Sequence, residues 1–228
     1  MSRCSLLLLL TAAASLTGKP LSAEEAITPR SPSDARLAFM NAVIDAPKVD
    51  VIADNKNLFK TAHFGKAQKT KKIRPQGYNF DVFPSKIGLP IIDDLTTNVE
   101  AGKDYLLIPM GTIESTIPFL VQLPGQFVPK QDTHVVFVNA SHDSPPLQLV
   151  LDGQDQGTSV AAASWSGPFT INAAKHRLEV FDGSTRVINE KIEKFKGSHI
   201  AIIIVHGTFD QGDGSQLDTA TLSVKSRD

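Results

Sequence analysis

A chain of 228 residues with 41% hydrophobic and 21% charged side chains has the balance of a globular protein, with one large domain or two smaller ones. Its 23 basic and 24 acidic residues, formal net charge −1, exclude nucleic-acid binding by bulk charge. A single cysteine excludes a disulfide framework and any multi-cysteine zinc or iron–sulfur centre.

Arg3 precedes an apolar run, Leu6 to Leu10, that continues through Ala12–Ala14 to Leu16. A basic head, about 11 mostly apolar residues and a small-residue exit predict a secretory signal peptide over residues 1–23, cleaved after Ala23. The run falls short of the roughly 20 apolar residues needed to span a bilayer. Cleavage would remove Arg3, Lys19 and Cys4, leaving a mildly acidic chain without cysteine and with no membrane span.

Residues 35–56 align with 133–154 at an offset of 98, with six of 22 positions identical: Phe39/Phe137, Asn41/Asn139, Ala42/Ala140, Asp45/Asp143, Pro47/Pro145 and Asp54/Asp152. The same offset pairs FDVF (80–83) with LEVF (178–181), and Gly111 meets Gly207 after a small indel. A period this long predicts duplicated domains and not a solenoid. They run over residues 34–123 and 133–228, separated at Pro124, Gly125 and Pro129, and each is expected to fold by itself.

Within each unit apolar residues alternate with period two, as in Val49/Val51 and Leu147/Leu149/Leu151. This predicts strands with one buried face. Asp45–Pro47, Asp54–Asn55, Asp143–Pro146, Asp152–Gly153 and Asp182–Gly183 mark reversals. Pro109 belongs at an edge or bulge. AIIIVHG (201–207), apolar on both parities, reads as a central strand covered on both sides, and SVAAASW (159–165) is a weak helix candidate. The expected fold class is all-β: two tandem immunoglobulin-like antiparallel β-sandwich domains.

NASHDSP (139–145) followed by LQLVLDG (147–153), and NAVIDAP (41–47) followed by VDVIADN (49–55), resemble the opening signature of the DUF4397 family, approximately HASPDAP-x-VDVYVDG. LEVFDG (178–183), GKDYLLIPMG (102–111) and AIIIVHG (201–207) resemble its later parts. The resemblance covers both domains and implies an exported β fold with no agreed activity. The family's leading His is Asn41 and Asn139 here, and its Pro before Asp is Ile44 and His142.

Asp45 and Asp143, with Pro47 and Pro145, form either a ligand loop or an Asx-turn in which the carboxylate accepts nearby backbone N–H groups; the turn explains both residue types in both copies. Asn41 and Asn139 bond backbone across that loop, and Asp54 and Asp152 sit in hairpin turns. The histidines 63, 134, 142, 176, 199 and 206 do not recur at the repeat offset and read as scattered and solvent-facing, with His142 beside Asp143 the one worth testing. His199 and His206, seven apart, should face opposite sides of a strand.

FDQGDGSQLD (209–218), with Asp210, Asp213 and Asp218, lacks the spacing of an EF-hand and reads as a long hairpin. Ser115 and Ser166 lack a nucleophile-elbow context. Asp93 and Asp94, adjacent on a strand, should diverge. Lys66, Lys69, Lys71, Lys72 and Arg74 form a basic stretch suited to an acidic partner, or a solvated strand and loop. Trp165, the only tryptophan, reads as packing or an interface anchor.

The expectation is an exported, non-catalytic binding or structural module of a bacterial periplasm or cell surface. Its partner would be an envelope protein or glycan, and no cofactor, metal or nucleic acid is expected. The alternatives are a carbohydrate- or cation-binding module working through the Asp-rich end loops, and, third, an exported enzyme.

Overall fold

The computed structural model describes residues 34–85, 88–125, 127–157, 159–209 and 216–227. The expected signal peptide over 1–23, Cys4 included, and the acidic residues Asp210 and Asp213 lie outside them. Every regular element among the described residues is a strand, and no helix there is long and apolar enough to cross a membrane.

The first half contains β1 (Ala35–Met40) with its short continuation β2 (Ala42–Val43), β3 (Lys48–Ala53), β4 (Lys56–His63), β5 (Ala67–Ile73), β6 (Gly77–Pro84), β7 (Ile92–Asn98), β8 (Asp104–Gly111) and β9 (Thr116–Leu123). The second contains β10 (Asp132–Asn139), β11 (Gln148–Leu151), β12 (Gln154–Asp155), β13 (Ser164–Asn172), β14 (Lys175–Asp182), β15 (Thr185–Lys194), β16 (His199–His206) and β17 (Asp218–Lys225). SVAAASW forms a bridge, a turn and the start of β13 and not a helix; Leu147 and Val160 exchange backbone bonds there.

Each half is a two-sheet sandwich. In the first, β5-β1-β8-β9 faces β4-β3-β6-β7; in the second, β13-β10-β16-β17 faces β12-β11-β14-β15. Counting β1 and β2 as one strand, both halves have the order fourth–first–seventh–eighth against third–second–fifth–sixth. An immunoglobulin constant domain instead pairs A-B-E-D against C-F-G. The sandwich expectation therefore holds, while this strand order is a different one. It also corrects the expectation of purely antiparallel sheets: β1·β8 and β10·β16 are parallel. The cause is topological. When every connection reverses the chain, the first and seventh strands run the same way, so making them neighbours makes them parallel.

Three apolar cores lie between the sheets. Leu37, Phe39, Val51, Phe80 and Leu107 fill the first sandwich, and Val135, Phe137, Leu149, Leu178 and Ile203 fill the second. The third joins the two: Ala38, Met40, Leu106, Ile108, Met110, Val121 and Leu123 from one half meet Val136, Val138, Ile200, Ile202, Ile204, Leu222 and Val224 from the other. Strands β1, β8, β10 and β16 are thus covered on both faces, which is why their sequences are apolar on both parities. The described residues form one compact unit. Each half thus lends a whole sheet face to the other.

One end of this shared core is closed by charge. Asp104, buried, accepts from Arg36 Nε at 2.7 Å and from Arg227 at 2.7 and 3.0 Å, and Arg227 also donates to the carbonyls of Asp34 and Lys103. Burial alone would raise this carboxyl, but the two guanidiniums hold it below its usual range. Pro109 lies not at an edge but in the central strand β8, directly opposite Pro118 of β9. Setting two prolines against each other confines the missing donors to one rung of the ladder.

Candidate functional site

The end loop after the first strand is built the same way in both halves. Asn41 is fully buried; its Nδ2 donates to the carbonyls of Ala46 (2.7 Å) and Ala62 (3.4 Å), and its Oδ1 accepts from Val43 N (3.0 Å). Asn139, also fully buried, donates to Val160 O (3.0 Å), Pro145 O (3.4 Å) and Ser144 Oγ (2.9 Å), and accepts from Ser141 N (3.2 Å). An amide is suited to this place because it offers donors and an acceptor to a loop whose backbone groups would otherwise be buried unpaired.

Asp45 accepts from Ile113 N at 2.7 Å and Asp143 from Phe209 N at 3.0 Å, 68 and 66 residues away. The expected local Asx-turn is therefore a long-range clamp on the loop that follows the seventh strand. Ser141 reinforces it, its Oγ donating to Asp143 Oδ1 (2.9 Å) and lying 3.1 Å from Gly207 O. That clamped loop opens at Gly111 and Gly207, with φ of 101° and 109°. A Cβ there would come within 2.4 Å of Ser115 O or 2.2 Å of Gln216 O, so neither position can take another residue without moving backbone. Pro47 and Pro145 act through their carbonyls, Pro47 accepting from Phe64 N at 3.0 Å. His142 Nδ1 is 3.8 Å from Asp143 Oδ1 and makes no hydrogen bond.

These contacts make the loop polar groups structural, with a graded expectation. Asn41→Ala or Asn139→Ala should cost about 2–3 kcal/mol in denaturant unfolding, because buried backbone groups lose their partners. Asp45→Ala or Asp143→Ala, at exposed positions, should cost about 1 kcal/mol. If the Asp variants cost nothing but abolish a ligand-induced rise in melting temperature, the loops are a binding surface instead.

Asp54 and Asp152 occupy the expected hairpin turns, with positive φ at both central residues: 46° and 62° for Asp54–Asn55, 51° and 76° for Asp152–Gly153. Their carboxylates accept from Asn79 N (3.3 Å) and Arg177 N (2.8 Å). The second carboxylate oxygen of Asp152 lies 2.7 Å from His176 Nδ1. The Arg177 N–H and His176 hold Asp152 below the usual carboxylate range.

The histidines are not solvent-facing as a set: His134, His176 and His206 are buried. On a strand with a covered face, parity and not residue type decides exposure. His206 and His199 do fall on opposite parities of β16, and His206 shares its parity with Ile202 and Ile204 of the shared core. Its ring meets Phe64 edge-on at 5.3 Å, and a Cβ on Gly65 would come within 2.6 Å of it. Burial, its largest influence, pushes the imidazole down to about 4; Asp218 opposes this and Lys191 and Lys66 add to it.

Asp93 and Asp94 do not diverge. Asp94 has φ 52°, the β6·β7 register shifts between Phe80 and Val82, and the bulge brings Asp81, Asp93 and Asp94 within 4.8 Å of one another at the surface. Asp94 N donates to Asp81 Oδ1 at 2.9 Å, so part of the cluster's acceptor capacity is used locally.

The basic stretch takes up the edge strand β5. Lys66, Lys69, Lys71, Lys72 and Arg74 are exposed, and none forms an ion pair among the described residues. The sandwich supplies an opposite wall that sequence reading missed: β4, the edge of the facing sheet, adds Lys56 and Lys60. Between the walls are two clefts of about 590 and 330 Å³, both bordered by Leu58. Lys71 Nζ bridges the walls, donating to Leu58 O and lying 5.1 Å from the centre of the Phe59 ring.

Fold and surface together define an all-β, double-sandwich protein whose end loops are internally bonded and which carries a basic groove between two sheet edges. Residues 35–132, the first half with its linker, match the model of a family described as "Domain of unknown function (DUF4397)". No curated protein matches the chain.

Proposed function

We propose that the chain is an exported, non-catalytic binding module of a bacterial periplasm or cell surface, made of two tandem copies of the DUF4397 sandwich. The duplication reading rests on more than strand order. The Asn41 and Asn139 amides bond carbonyls at Ala62 and Val160, again 98 apart, and the bulges at Leu37/Phe39 and Val135/Phe137 keep the same offset.

The single observation that carries the binding reading is the rim between β4 and β5, where exposed cations from both sheets line an open groove without acidic partners. The alternative, ligand capture by the Asp-rich end loops, is weaker because Asp45, Asp54, Asp143 and Asp152 already accept backbone N–H groups. Export is supported by the basic, apolar and small-residue succession in residues 3–23.

The test is expression of the whole chain followed by envelope fractionation and mass spectrometry of its N-terminus. A mature chain beginning near Glu24, free of thiol, is expected. Recovery of Met1 and Cys4 in a cytoplasmic fraction would overturn export.

A further inference from the structure

Resting on that reading of an exported binding module, we infer that the β4–β5 rim binds a linear acidic polysaccharide through Lys56, Lys60, Lys69, Lys71, Lys72 and Arg74. The two clefts follow the full length of β5, seven residues or about 23 Å at the usual strand rise. A groove of this length and openness suits an extended polymer better than a small enclosed ligand.

Charge complementarity points to an anion. Arg177 and Arg186 pair with Glu179 and Lys191 with Asp218, whereas the rim sets six exposed cations side by side along one groove. The six rim cations have no such partner among the described residues. The one carboxylate lining the groove, Asp54, is held by Gln76 Nε2 (3.0 Å) and Asn79 N. A field of one sign along a cleft raises the local concentration of a polyanion even on a chain whose net charge is near zero.

Guarding a sheet edge against aggregation also uses lysines, but this fold guards the corresponding edge without them. Strand β13, the counterpart of β5, has no lysine and carries Gly167 and Pro168 in its middle, where its register shifts. The rim is also poorly suited to an added peptide strand. The Leu58 carbonyl on β4 is taken by Lys71, and β4 is bent at Thr61, φ 54°, whose N–H is taken by Asp50. Side-chain ammonium groups, not backbone, remain as the recognition chemistry, and they match carboxylates repeated along a sugar chain.

The test is calorimetric titration of the purified chain with polygalacturonate at about 50 mM salt, where screening is weak. Neutral dextran, poly-L-glutamate and a DNA duplex are titrated alongside. Polygalacturonate should bind, more weakly as salt rises. Paired substitution Lys69→Glu/Lys72→Glu on one wall, and independently Lys56→Gln/Lys60→Gln on the other, should each weaken it at least tenfold without moving the melting temperature. Lys175→Glu/Lys194→Glu, at exposed positions in the second half, should leave it unchanged. Absence of binding, or equal weakening by the second-half pair, overturns the site. Poly-L-glutamate or DNA binding as tightly overturns the polysaccharide, the first in favour of an acidic peptide and the second in favour of unspecific attraction. N-terminal analysis reads export separately, so either conclusion can fail while the other stands.

Discussion

Cut between its sandwiches, the chain is expected to lose solubility or to self-associate, and intact it should unfold in a single transition. The C-terminal half, residues 131–228, would expose Val136, Val138, Ile200, Ile202, Ile204, Leu222 and Val224, all packed in the shared core of the whole molecule. At about 2 kcal/mol for each large apolar side chain left in water, their combined loss approaches the 5–15 kcal/mol that usually stabilises a domain. A flat apolar face bounded by strands is also a self-association surface. The single substitution Ile202→Asp in the whole chain concentrates the same effect at one point. It places a carboxylate in the middle of that core, and should cost more than about 4 kcal/mol or prevent folding. Differential scanning calorimetry and analytical ultracentrifugation read both experiments. An isolated half that is monomeric and melts cooperatively would show that the shared core forms only after each sandwich is already stable.

What could be read from sequence, and what could not, divides along the range of the interaction. Strand β14 begins and ends 98 residues after β6, because the alternation that places Tyr78, Phe80 and Val82 inward is repeated at His176, Leu178 and Val180. The two-residue turns at Asp54 and Asp152 were equally legible, since a hairpin with positive φ at both central positions favours Asp, Asn and Gly. The double cover of β16 was visible in AIIIVHG, yet the same both-parity pattern in YLLIPM of β8 and HVVFV of β10 also pointed to a core between sandwiches. Composition says that a face is covered; what covers it is decided by contacts across the whole chain.

The end loops make the same point. Asp45 and Asp143 could be recognised as loop-fastening residues, but their partners follow from the first strand lying beside the seventh, a fact of topology. One wall of the basic rim was legible in residues 66–74; the other, with Lys56 and Lys60, needed the sandwich to bring two edge strands together. The buried histidines had a signal that residue counting overlooks. His134 and His206 carry the parity of Val136 and Ile204, and so point into the shared core.

Acidification from pH 6.5 to about 4 is expected to remove about 3 kcal/mol of stability through His206 alone. The imidazole is buried and held down to about 4 in the folded chain, against 6.5 when unfolded. Between those values the unfolded chain takes up a proton that the folded one refuses, so stability falls as pH falls, by up to about 1.4 kcal/mol per pH unit. Above pH 6.5 both states are neutral and this contribution is fully present; below about 4 both are charged and nothing more is lost. The groups facing the ring are known: Asp218 lies opposite it on β17 and favours the proton, while Lys191 on β15 and Lys66 before β5 oppose it. The carboxylates that also couple folding to acid, Asp104, Asp152 and Asp218, are all held below their usual values. Their stabilisation is present above the unfolded carboxylate pKa near 4 and is lost only below it. The interval from 6.5 to 5 therefore separates His206 from these carboxylates. In denaturant titrations across that interval the parent chain should lose stability steadily, whereas a His206→Gln chain, less stable at pH 7 through altered packing against Phe64, should have a shallower profile. Equal slopes in the two proteins would mean that the ring is hydrated in solution, and that the contact of His206 with Phe64 and Gly65 opens without cost.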